Sequence, residues 1–129
     1  MKKLSLLAAI SLVSCGAPSV VIDAPLAIVN VAPHDGAVGI EATTRPTVCF
    51  SEAMDPAAAR GALGISEEGG ADVTGQNVEL SAGDANCLVL AHDKLKADTL
   101  LVVRAKKGLR SAGGKALTAE IVSRFKTSP

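Results

Sequence analysis

The chain has no tryptophan, no tyrosine and only two phenylalanines, so aromatics make up 2% of its 129 residues. An interior without large rings has to be built from Val, Leu, Ile and Ala. There is enough of these, since hydrophobic residues reach 48%. The same shortage removes the stacking platform on which single-stranded nucleic acids bind. Net charge is missing too: 13 basic residues balance 13 acidic ones. With no run of five like charges anywhere, no overall field recruits a nucleic acid or an anionic membrane. Catalytic signatures are equally scarce. There is no Gly-x-Ser-x-Gly elbow and no phosphate-binding glycine loop, and the Gly-rich "RSAGGKA" lacks the strand–loop–helix setting of a nucleotide site. What remains is one domain's length of aliphatic sequence, three cysteines and two histidines.

The first cysteine closes a targeting segment. Lys2 and Lys3 form a short positive region, followed by an apolar stretch from Leu4 to Val13 broken only by serines. At ten residues it falls short of the about 20 needed to span a bilayer and suits a signal-peptide core. A buried N-terminal strand or helix is the alternative reading. Leu12-Val13-Ser14-Cys15 resembles the bacterial lipobox. That resemblance implies a diacylglyceryl group on the Cys15 thiol, cleavage just before it, and an acylated new N-terminus. Two or three acyl chains anchor stably where one does not. Gly16, which is not Asp, implies sorting to the outer membrane in a Gram-negative host. Loss of residues 1–14 removes Lys2 and Lys3, taking 13 basic residues to 11 against 13 acidic ones. The mature chain is then mildly acidic. Small residues and two prolines between Gly16 and Pro25 read as a short tether.

From Ile28 onward, β-like runs alternate with turn chemistry. "AIVNVAP" is a first strand, ended by Pro33 and the turn-like "HDGAVG". In "RPTVCFS", Val48 and Phe50 share one face and Thr47 and Cys49 the other. Asp55 is a good helix N-cap and Pro56 a good first helical residue, so "MDPAAARG" predicts a single helical turn, stopped by Gly61 and Gly64. "ALGIS" and "ADVTG" form a hairpin around Gly69 and Gly70. "NVELS", "NCLVLA", "DTLLVVRAK" and "EIVSRFKTS" supply further strands, with "GLRSAGGKAL" as a Gly-rich connection before the last. Leu88 and Leu90 face one way, as do Leu101, Val103 and Ala105. Strands at this spacing predict an all-β sandwich or barrel, and the length suits an immunoglobulin-like sandwich of about seven strands. The division is 1–14 signal peptide, 15–26 lipidated Cys and tether, and 27–129 Ig-like domain.

Particular residues sharpen this. Pro33, Asp35 and Gly36, then Phe50, Ser51, Glu52, Met54 and Asp55, resemble the opening pattern of the bacterial Ig-like domains of the SbsA-type S-layer family, Big_5. Leu95, Thr99, Gly108, Gly114, Leu117, Phe125 and Thr127 are similar to its final strand pair. Leu101, Ser111 and Lys115 stand where the family usually has Tyr, Asp and Asn, so a polar or ionic role of those positions is not carried over. The resemblance implies a spacer or adhesion module.

With Cys15 lipidated, Cys49 and Cys87 remain as an even pair in an oxidising compartment. They are either bridged or two free thiols. In an Ig-like order they lie on neighbouring strands B and E, on the face opposite Phe50 and Leu88, where a bridge is within reach. Two His-Asp pairs, His34-Asp35 and His92-Asp93, fall in loops at one end of such a sandwich. If they converge they offer zinc ligands; otherwise they are ordinary turn residues. Glu52 and Asp55 have the composition of an acid/base pair, but a strand end followed by an N-capped turn accounts for both. The expectation is a lipid-anchored envelope module without catalysis, cofactor or nucleic acid. It is held by the membrane through Cys15 and meets an unknown envelope protein or glycan. A small-ligand or metal-binding lipoprotein using the His34/His92 end is the alternative.

Overall fold

A computed structural model describes residues 24–129, and Cys15 with its flanking targeting segment lies outside the described residues. The order of elements is β1 (Ile28–Ala32), β2 (Ala37–Ile40), β3 (Thr47–Phe50), α1 (Pro56–Ala59), β4 (Leu63–Glu67), β5 (Asn77–Ser81), β6 (Asp84–Ala91), β7 (Leu100–Ala105) and β8 (Ile121–Thr127). Two four-stranded sheets form, in the orders β1-β3-β6-β5 and β2-β8-β7-β4. This is the strand arrangement of a constant-type immunoglobulin sandwich, with its first strand divided between the two sheets.

Alternation builds the core. Val48 and Phe50 of β3, Leu88 and Leu90 of β6, Leu101 and Val103 of β7, and Phe125 of β8 all turn inward and are buried. Both phenylalanines are fully buried, one from each sheet, and aliphatic side chains fill the space around them. Fully burying one such side chain stabilises by roughly 1.5–3 kcal/mol. The opposite face of β3 and β6 carries the cysteines. Cys49 and Cys87 are register partners on adjacent antiparallel strands, and a disulfide joins them with Cα atoms 4.0 Å apart.

Three local features depart from expectation. Residues 37–40, read as part of a turn, form β2, which pairs in parallel with β8. Only Ala37 of β2 is buried and Val38 is 74% exposed, so the strand shows no apolar alternation; its partner, rather than its own pattern, makes it a strand. The return arm of the expected 63–74 hairpin is reduced to a single bridge between Ser66 and Asp72. Gln76 explains the truncation. Its side chain accepts from Ile65 N at 2.7 Å and donates to Ile65 O at 2.9 Å and Val73 O at 2.7 Å, so it stands between Ile65 N and Val73 O, while Val73 N still donates to Ile65 O at 3.1 Å. The edge of β4 is thereby closed to further pairing. Third, the Gly-rich 108–117 connection folds back on itself, with Arg110 bridged to Ala116. The helical turn forms as its residues predict: Asp55 Oδ1 accepts from Ala57 N at 3.0 Å, with Pro56 in the first turn.

Candidate functional site

Most of the motif residues hold the sandwich together. Asp35 Oδ1 accepts from Arg124 N at 2.8 Å, and Gly36 N donates to Arg124 O at 2.7 Å. These bonds dock the corner between β1 and β2 onto the middle of β8. Gly36 has φ +88 there, a conformation costly for other residues; Pro33 precedes it in the same corner. Arg124 is fixed from its other end by Glu68, 2.7 Å away, whose hydrogen bond and charge raise the guanidinium above its usual pKa. Ser51 exchanges bonds with Ala27, its Oγ accepting from Ala27 N at 3.0 Å and its N donating to Ala27 O at 2.8 Å. Met54 is buried. Thr127, also buried, donates to Lys96 O at 2.6 Å and accepts from Thr99 N at 2.9 Å, tying the loop before β7 to the end of β8.

Glu52 and Asp55 do not form an acid/base pair. Asp55 is spent on the helix cap, while Glu52 reaches across to the 108–117 connection. There it accepts from the Ser111 hydroxyl and lies 3.8 Å from Lys115 Nζ. Ser111 Oγ accepts in turn from Lys115 N at 3.1 Å. Ser111 and Lys115, two of the three positions that depart from the family pattern, therefore do have polar work here, despite the changed residue types.

The histidines are not gathered into a metal site. His34 belongs to the corner docked on β8, because the first strand spends residues 33–36 in crossing between sheets. His92 stays in the loop after β6, with Nδ1 2.6 Å from Asp93 O and Nε2 2.6 Å from Thr44 O. Carbonyl oxygens thus stand opposite both ring nitrogens. Asp93 accepts from Thr74 Oγ1 at 2.8 Å and so pins the 74–76 turn. Among the described residues no group of three or more His, Cys, Asp or Glu stands ready to hold a metal.

A surface at the end where the chain enters the sandwich is less committed. Leu26 N donates to Ala116 O at 3.3 Å and Gly108 N to Leu117 O at 2.9 Å, so the N-terminal entry lies against the 108–117 connection. Pro25, Leu26 and Ile28 on one wall and Leu117, Ala119 and Ile121 on the other bound a largely apolar groove of about 380 Å³. Beside it, residues 106–119 hold Lys106, Lys107, Arg110 and Lys115 and no acid. Lys106, Lys107 and Arg110 are exposed. The sequence contained this stretch, but the balanced total charge hid it, and only the docking of Leu26 shows which end it occupies.

The family model Big_5, bacterial Ig-like domain, matches residues 22–127. The chain belongs to this family. No curated protein matches it in sequence. Among solved structures, this Big_5 domain is similar to CopC from Methylosinus trichosporium OB3b, at 17% identity and TM-score 0.60, over 79% of this chain and 92% of that one. It is similar also to the N-terminal part of the bacterial S-layer protein SbsC, at 20% identity and TM-score 0.57, covering 81% of this chain but 24% of that one. The LD transpeptidase LdtMt1 in complex with imipenem matches at 21% identity and TM-score 0.54, over 81% of this chain and 40% of that one. At these identities the likeness shows a shared fold.

Proposed function

We propose that the chain is a non-catalytic module of the bacterial cell envelope, anchored by lipid on Cys15 and presenting its Ig-like sandwich to an envelope protein or glycan. One observation carries the absence of chemistry. The polar motif residues Asp35, Ser51, Glu52, Asp55 and Thr127 each spend their hydrogen-bonding capacity on the sandwich's own loops. Family membership and the S-layer likeness support an envelope setting. The lipobox-like Leu12-Val13-Ser14-Cys15 supports the anchor. The apolar stretch Leu4–Val13 is too short to span a bilayer itself, so retention after cleavage falls to the acyl chains.

The test is expression of the full chain in a bacterial host with its own leader. Mass spectrometry of the N-terminal peptide shows a lipid-modified Cys15, and Cys15→Ala yields unprocessed protein without that modification. A Cys15→Ala chain that is processed and remains membrane-bound refutes the anchor. Pull-down from envelope extract with the mature protein then identifies the partner class.

A further inference from the structure

The groove and the basic connection share one end of the molecule, the end at which the chain leaves toward Cys15. Resting on the anchor reading, we infer that this end is a docking surface for the anionic lipid headgroups of the membrane that holds the protein. The sandwich then leans on the bilayer with Lys106, Lys107 and Arg110 facing the phosphates.

Three features carry this. The first is charge segregation. Arg45, Lys96, Arg104, Arg124 and Lys126 are each paired with an acid elsewhere on the sandwich. Among the described residues Lys94 at the far end, and Arg60, Lys106 and Lys107 at this one, have no such partner, and Arg110 bonds only the Gly114 carbonyl, at 2.8 Å. Lys106 N donates to Ala62 O at 2.8 Å, which brings the α1 exit and Arg60 beside the same turn. The acids at this end are Glu120, ion-paired with Arg104, and Glu52, Asp55 and Asp84, which keep their charge while bonded to Ser111, the helix cap and Asn86 N; the five cations Arg60, Lys106, Lys107, Arg110 and Lys115 outnumber those three. Second, the apolar groove between Leu26 and Ile121 opens next to these cations. An apolar strip flanked by lysine and arginine is the composition that settles at a headgroup boundary. Third, reach is short. Ten residue steps from Cys15 to Pro25 span at most about 35 Å even when fully extended, so this end cannot leave the vicinity of the bilayer. A tethered surface meets its target at high effective concentration, and attraction too weak to recruit a free protein suffices to orient an anchored one. The mildly acidic balance of the mature chain, 11 basic against 13 acidic residues, is no obstacle, because screening confines the interaction to about 8 Å at physiological salt.

The test uses the full chain, purified from membranes and reconstituted in vesicles of phosphatidylcholine alone or mixed equally with phosphatidylglycerol. Amine acylation is followed by peptide mass spectrometry, with Lys94 and Lys96 as references at the far end. In anionic vesicles Lys106 and Lys107 are acylated several-fold more slowly relative to those references. The difference disappears at high salt and in neutral vesicles. One cation near an anionic surface changes partitioning about fivefold; Arg110→Gln therefore weakens the protection of both lysines, and Lys106→Gln weakens that of Lys107. Equal relative acylation in the two vesicle types refutes the docking. Protection in intact cells but not in anionic vesicles also refutes it and indicates a protein or glycan partner. The same digest reports the N-terminal peptide: absence of lipid there overturns the anchor reading and this inference with it, whereas lipid without protection overturns the docking alone.

Discussion

Removing the Cys49–Cys87 bridge should cost a large share of the stability of this domain. The perturbation is the double variant Cys49→Ala/Cys87→Ala. The bridge closes a loop of 38 residues. The loop-entropy relation gives about 13 cal/mol/K for a loop of that length, or about 4 kcal/mol at 25 °C. Cys87 is 5% exposed, so the lost sulfur also leaves a small packing defect. Against the 5–15 kcal/mol typical of domains, the variant should remain folded but melt about 15 °C or more below the parent. Tryptophan fluorescence is not available as a probe, since the chain has no Trp. Far-UV circular dichroism or calorimetry reads the transition instead. Urea titration adds a second signature, because an uncrosslinked denatured chain is more expanded and its m-value rises. The parent with reductant should match the double variant. A melting point within a few degrees of the parent refutes the reasoning, since the cross-link would then do little to constrain the denatured chain. Iodoacetamide labelling of both cysteines in the unreduced folded protein refutes the bridge itself.

Glu52→Ala should destabilise by about 1–3 kcal/mol, because it strands the buried Ser111 hydroxyl, whereas Glu52→Gln, which keeps an acceptor and loses only the half-exposed ion pair with Lys115, should cost under about 1 kcal/mol. Equal midpoints for the two variants in urea would mean that the contact with Ser111 carries no weight. The Ser123 hydroxyl is buried with no hydrogen-bond partner among the described residues, beside the inward-facing Val48 and Val103. Ser123→Ala should therefore raise stability by up to about 1 kcal/mol, and a lower urea midpoint would refute that account.

Legibility of the fold followed the range over which its causes act. β3, β6 and β7 are strand-length apolar runs bounded by turn residues, so "TVCF", "NCLVLA" and "LLVVRA" were readable as strands from within; their order made Cys49 and Cys87 neighbours, and the register that pairs them is a property of the folded sheet. β2 is a strand because β8 lies beside it, and no property of "AVGI" states that. The 71–74 arm fails to extend because Gln76, a polar turn residue without pattern, takes the edge of β4. The motif residues were visible in sequence, but what they do was not, since Asp35 acts on Arg124 from 89 residues away and Glu52 on Ser111 from 59. The candidate surface was the least legible part. A total of 13 basic against 13 acidic residues constrains only the field far from the molecule. Two bodies of equal charge differ near the surface according to which cations are paired and which end the tether leaves from. Both facts belong to topology: ion pairs consume most of the cations along the sandwich, Lys94 excepted, and the bond from Leu26 to Ala116 sets Lys106, Lys107 and Arg110 beside the chain's entry. An anchored protein senses the near field, so the charge balance that argues against recruitment from solution carries no weight once the chain is tethered.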